Sequence, residues 1–230
     1  MHSSIRAIAF DLWNTLIGCA APVNPMLRLL EAVRAAGAPD PLTLVSEATM
    51  TSPLPGLAAA LEELERRLGC RLARGRERAR LLALWRCTTG CNHVFEDVEP
   101  SLRRLRQRYR IGVISNTQSF DLEFWERSAA RALMEVEVLS YEERVLKPDT
   151  RLFRRFARAL GVRPQQVLMV GDNMRDDIEG SRAAGFEAVR IRRNAPSLSH
   201  REPSGNDTTV RDLNELERWL ENFGHSSARR

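Results

Sequence analysis

The chain has 230 residues, 43% apolar and 28% charged, enough for an α/β core that carries a smaller inserted domain. The formal net charge is +5, but the arginines are scattered among Glu and Ala along helical stretches. The basic cluster Arg103, Arg104, Arg106, Arg108 and Arg110 sits on one predicted helix and its end, which argues against a nucleic-acid partner. No apolar run approaches the roughly 20 residues that span a bilayer, and the N-terminus lacks a basic segment followed by a long apolar one. The protein is therefore expected in the cytoplasm, with no membrane partner.

The first predicted strand, residues 5–10, ends in Asp11 and runs into the turn Leu12-Trp13-Asn14-Thr15. From about Gly18 to His93 the pattern is helical only. Stretches 26–36, 57–68 and 77–86 place apolar residues three or four apart, and Pro39-Asp40-Pro41 and the Pro/Gly-rich 52–56 read as turns. Helices and strands then alternate: helix 102–109, strand 111–114, helix 120–133, strand 136–139, helix 152–160, strand 167–170, helix 178–184 and strand 188–191. A loop rich in Pro, Ser and Gly, 194–207, precedes an amphipathic helix over 210–223, and the tail 224–230 is expected to fray. This order predicts an α/β fold: a Rossmann-like, doubly wound parallel sheet formed by 1–17 and 95–230. Residues 18–94 form a small α-helical domain inserted after the first strand, placed to cover a cleft at the strand ends.

In open α/β sheets, ligands bind beyond the carboxyl ends of the strands. Here those positions carry Asp11 and Thr15, then Ser115 and Asn116, then Lys147, then Asp172 followed by Asp176 and Asp177. The set suits phosphoryl transfer. A carboxylate can attack phosphorus, and hydroxyls, amides and an ammonium can hold the spread charge of the transferring group. Mg²⁺ favours oxygen ligands and takes a few carboxylates with water and phosphate; Asp11, Asp172 and Asp177 are the candidates. Without a cation, three crowded carboxylates would repel one another and raise their own pKa values. Lys147, the only lysine in the chain, compensates one of the three charges. Cys87, Cys91 and His93 have a faint metal-ligand spacing, but small thiols in a reducing compartment are the simpler reading.

The succession Asp11…Thr15, Ser115-Asn116, Lys147-Pro148-Asp149 and Gly171-Asp172-Asn173…Asp177 resembles the haloacid dehalogenase superfamily over residues 5 to 192. The helical insert is similar to that superfamily's C1-type cap. The resemblance implies a Mg²⁺-dependent hydrolase that acts on a small phosphorylated substrate through an aspartyl-phosphate. It makes Asp11 the nucleophile, Thr15, Ser115 and Asn116 phosphate-binding groups, and Lys147 the cation that steadies both nucleophile and phosphate. It assigns the metal to Asp11, the Trp13 backbone carbonyl, Asp172 and Asp177, with Asp176 able to share the work of Asp177. It sets neither substrate identity nor oligomeric state.

Trp13 departs from the pattern. The superfamily's phosphatases usually carry there a second aspartate that acts as general acid and base. Its loss predicts weak turnover of alkyl phosphates and a smaller penalty for acyl or aryl phosphates, whose leaving groups need less protonation. An aromatic residue at this place also resembles the dehalogenases, whose aspartate attacks carbon without a metal, but the acidic pair at 172 and 177 argues for metal ligation. A third reading is a binding or regulatory protein with little turnover. Asn14 stands where the family commonly has Gly, and Asn tolerates a positive φ.

Overall fold

The computed structural model describes residues 5–193 and 208–227. Six strands form one parallel sheet: β1 (Ala7–Phe10), β4 (Arg110–Ser115), β5 (Val136–Leu139), β6 (Val167–Gly171), β7 (Glu187–Ile191) and β8 (Thr209–Val210), in the order β5-β4-β1-β6-β7-β8. The central runs of β1, β4 and β6 read as strands because they are buried on both faces, as the middle of a parallel sheet requires. Their side chains alternate. Ile8 and Phe10 join Ile111, Val113, Leu168 and Val170 in a core on one face, while Ala7 and Ala9 face Ile114, Val167, Met169, Phe153 and Phe156 on the other. The chain leaves β1 for β4 and β5 on one side and returns for β6, β7 and β8 on the other. The tips of β1, β4 and β6 therefore lie side by side at the switch point, where such sheets bind ligands.

Two short strands lie between β1 and β4 in the chain: β2 (Ile17–Cys19) and β3 (Asn92–Val94), paired antiparallel with Gly18 opposite His93. They are the two ends of the helical insert, zipped together. Gly18 is needed there, because a Cβ would come within 2.8 Å of the Phe95 ring and 3.1 Å of His93. Between them stand helices α1 (Pro25–Ala35), α2 (Pro41–Met50), α3 (Leu57–Leu68) and α4 (Gly75–Thr89). They have their own apolar core, in which Leu29, Val33, Val45, Ala60, Leu61 and Leu64 are nearly or fully buried.

The elements depart from the sequence reading at particular places. The Pro39-Asp40-Pro41 signal marks the start of α2 rather than a loop: the Asp40 carboxylate accepts from Thr43 N at 3.1 Å, and Pro41 occupies the first helical position. The helix expected over 120–133 is broken into short turns at 119–121, 123–126 and 131–133. Ser128 competes for the backbone there, donating to the Trp125 carbonyl and accepting from Arg131 N. The last helix begins at Leu213, because Thr209–Val210 adds an edge strand to β7, and it runs to Ser227, into the tail expected to fray. The loop 194–207 lies outside the described residues. No helix among those described is long and apolar enough to cross a membrane.

Candidate active site

Asp11 directly follows β1, and its backbone N–H extends the ladder to Val170 O at 2.8 Å. That bond fixes the residue at the sheet edge before its side chain makes any contact. The turn after it closes because Asn14 adopts φ +57°. The side chain of Asn14 then donates to Asp172 at 3.2 Å, which ties the tip of β1 to the tip of β6. Beyond β6, residues 174–179 form one π-helical turn, and Asn173 caps it by accepting from Asp176 N. The turn points Asp177 back at the strand end, where its carboxylate accepts from Asn173 N at 3.0 Å. Gly171 permits this return: a Cβ there would lie 2.3 Å from Asp177 Oδ2. Gly171→Ala is expected to cost about 1–3 kcal/mol by overpacking, read as a lower midpoint in urea unfolding.

One carboxylate oxygen from each of Asp11, Asp172 and Asp177 lies within 4.8 Å of the others. Asp176 stays outside this trio. Lys147 Nζ reaches Asp11 Oδ1 and Asp177 Oδ1, both at 2.6 Å, and Ile114 O at 3.0 Å. All three ammonium protons are thereby used, and the side chain is 3% exposed. Asn116 holds the lysine from behind, accepting from its backbone N at 2.8 Å and donating to its carbonyl at 3.1 Å. The side-chain amide of Asn116 is thus occupied with the loop that carries Lys147.

The charges oppose one another. Burial pushes the Asp11 carboxyl up to about 7; the Lys147 ammonium resists this, and the Asp177 and Asp172 charges add to it. Burial also raises Asp172, with the Asp177 charge adding to the shift. Burial alone would lower Lys147, but the flanking Asp11 and Asp177 hold it above the ordinary lysine range. Lys147 cancels one charge of three and leaves two over, which matches one divalent cation. The Trp13 carbonyl accepts no hydrogen bond among the described residues, so it too is free to serve as a ligand. The donor set, all oxygen and mostly carboxylate, suits Mg²⁺.

Two buried side-chain polar atoms lack a hydrogen-bond partner among the described residues: Thr15 Oγ1 and Ser115 Oγ. Orphans of this kind cost about 1–3 kcal/mol each, a cost that a hydrogen-bonding ligand at these positions would remove. Trp13 is half-buried, packs against the core, and donates from Nε1 to Thr117 Oγ1 at 3.1 Å. Cys87, Cys91 and His93 form no three-residue ligand set, as the aspartate trio is the only one among the described residues.

Sequence reasoning missed several groups that hold the site. Arg190 donates to the Asp172 carbonyl at 3.0 Å, and Arg193 donates to the Thr15 carbonyl and to Asp97. Nothing distinguished these two from the other arginines in the chain. A cleft of about 380 Å³ opens beside Trp13, Asn14 and Asn116 and is roofed by the insert through Met26, Met50 and Trp85. Several bonds fix the insert over it. Trp85 Nε1 donates to Asp121 at 2.7 Å, Leu54 N donates to Ser119 Oγ at 2.9 Å, and Ser119 Oγ donates to the Leu54 carbonyl at 2.9 Å.

The doubly wound sheet thus gathers three acids and one lysine beyond its carboxyl edge, where α/β enzymes of this architecture bind their ligands. The chain belongs to the haloacid dehalogenase-like hydrolases, whose family model matches residues 5–185. It is 36% identical over 103 residues to a glyceraldehyde 3-phosphate phosphatase of Methanopyrus kandleri, covering 43% of each chain. It is 41% identical over 80 residues to a phosphoserine phosphatase of Thermus thermophilus, covering 34% of this chain and 31% of that one. The chain thus spans less than half the length of these curated relatives. A solved haloacid dehalogenase-like hydrolase from Xanthomonas campestris superposes with a TM-score of 0.66 over 99% of both chains at 16% identity, which shows the shared fold.

Proposed function

We propose that this protein is a Mg²⁺-dependent phosphatase that cleaves small phosphorylated substrates through an aspartyl-phosphate on Asp11. The observation that carries the reading is the aspartate trio with its single buried lysine, set beside two orphaned hydroxyls. Asp11, Asp172, Asp177 and the Trp13 carbonyl would hold the ion. When bound, it supplies positive charge to the phosphoryl oxygens and separates the carboxylates. Residues 18–94 act as the cap.

Lys147 holds Asp11 Oδ1, and Oδ2 is free of hydrogen bonds among the described residues. Oδ2 attacks phosphorus, the bond from phosphorus to the leaving-group oxygen breaks, and that oxygen leaves with the electron pair. Thr15 and Ser115 hydroxyls donate to the phosphoryl oxygens that carry the growing charge. Water then attacks the phosphorus of the aspartyl-phosphate, and the bond from phosphorus to Asp11 Oδ2 breaks with its electron pair returning to the carboxylate. The water's proton passes to solvent as inorganic phosphate is released, and the leaving-group oxygen takes its proton from solvent. The Trp13 side chain cannot give the leaving oxygen its proton, since an indole N–H is far too weak an acid, and here it donates to Thr117.

General acid help is worth about 10²–10⁴ in rate. Acetyl phosphate should therefore be hydrolysed at least about a hundredfold faster than a simple alkyl phosphate, and only with Mg²⁺ present. Trp13→Asp should narrow that ratio. A phosphate-release assay with and without Mg²⁺ tests both points. Equal rates for acetyl phosphate and the alkyl phosphate would refute the role given to Trp13. Halide release from 2-haloacids without metal would favour attack on carbon instead.

A further inference from the structure

The cleft between the insert and the sheet adjoins the acidic site, because two of its lining residues are bonded to that site. Asn14 is bonded to Asp172, and Asn116 is bonded to the Lys147 loop. The part of a substrate that is not phosphate must sit there. The walls combine an apolar side (Met26, Met50, Trp85) with amides and hydroxyls, and no lysine or arginine is among the lining residues. The lone lysine is committed to Asp11 and Asp177. The cleft nonetheless contains one charged group, Asp121. Its Oδ1 accepts from Trp85 Nε1 at 2.7 Å, and its other oxygen has no hydrogen-bond or ion-pair partner among the described residues. A carboxylate in this setting repels a second anion and favours a donor or a cation.

Resting on the phosphatase reading, we propose that the cleft takes phosphate esters whose leaving group bears an amine or hydroxyl donor and no second anionic group, with Asp121 as the acceptor that sets this preference. The cavity volume limits the leaving group to a small molecule of a few to about a dozen heavy atoms, consistent with the lower range of small-molecule sites. Neutral hydroxyl compounds bind through Asp121, Gln118 and the amides. Amines gain the full charge of Asp121. Carboxylate-bearing esters find nothing to neutralise them.

Two matched pairs isolate the effect. Phosphoethanolamine and phosphoserine differ by one carboxylate, and glycerol 3-phosphate and 3-phosphoglycerate differ by a hydroxymethyl against a carboxylate. At pH 8 with Mg²⁺, kcat/KM should favour the member without the carboxylate by about tenfold or more in each pair, which corresponds to about 1.4 kcal/mol. Asp121→Asn keeps an oxygen for Trp85 while removing the charge, and it should shrink both ratios severalfold. The same ranking should appear as Kd values in calorimetry on the Asp11→Asn protein, which binds without turnover. Acetyl phosphate, which has no second anion, reports separately on the chemistry. If it is not hydrolysed by the parent protein, the phosphatase reading fails, and the Kd ranking still decides on the cleft. Preference for the carboxylate-bearing member, no preference in either readout, or ratios unchanged by Asp121→Asn would each overturn the proposal.

Discussion

Asp11→Asn is expected to lower metal-dependent phosphate release by a factor on the order of 10⁴ or more, yet to leave the metal-free protein more stable than the parent at pH 8. The two effects come from the same placement. An amide oxygen is a poor nucleophile, so no aspartyl-phosphate forms. The stability gain follows from linkage. Burial, with the charges of Asp177 and Asp172 added, carries the folded Asp11 carboxyl up to about 7 against the opposing Lys147, whereas an unfolded aspartate titrates near 3.9. A raised carboxyl favours the folded state while it is protonated, and that contribution is lost as pH rises from about 4 through about 7. Asn never ionises and escapes this loss. Thermal unfolding without metal should therefore show the variant ahead of the parent by a few degrees at pH 8, with the gap closing toward pH 5. Saturating Mg²⁺ should also close it, because the ion stabilises the charged parent more than the variant. A variant that is inactive and also markedly less stable at pH 8 would mean Asp11 is held mainly for its bond to Lys147.

What made Asp11 legible before any coordinates was the strand in front of it. Ala7–Phe10, Ile111–Ile114 and Val167–Val170 are buried on both faces, so they read as unbroken apolar runs, and the polar residue that ends each run is conspicuous. The parallel order then brings the tips together without any need to know side-chain contacts. Elements whose identity depends on distant partners were not legible. β2 and β3 are three residues each and exist only because they pair across the insert. β8 is two residues on the sheet edge. In α2 the local signal was present but ambiguous, since Asp-Pro opens a helix as readily as it makes a turn. Asp121 carried no mark at all in the sequence. Its setting comes from Trp85, 36 residues earlier, on a helix whose packing over the cleft no periodicity specifies.

Lys147→Met should be the most destabilising conservative change at the site, costing about 3–5 kcal/mol at pH 8. Methionine nearly matches the volume of the lysine stem, so no large cavity opens, and the loss isolates the charge. In the parent the ammonium donates to Asp11, Asp177 and the Ile114 carbonyl at once. Its removal leaves two carboxylates that are 6% and 1% exposed facing each other, with a third carboxylate at Asp172 close by. Such a cluster relieves itself by taking up a proton. Without the opposing ammonium, the folded Asp11 carboxyl titrates still higher than in the parent. The variant's deficit should accordingly grow as pH rises through about 7, where the parent's Asp11 ionises and the variant's does not, and level off below about pH 6, where Asp11 is neutral in both folded proteins. Lys147→Arg should not restore the parent, because a planar guanidinium cannot reproduce three convergent bonds from one nitrogen. Urea unfolding of the full chain at pH 5 and pH 8 measures the difference. A deficit under about 1 kcal/mol at pH 8, or one independent of pH, would show that the carboxylates do not depend on Lys147 for their charge.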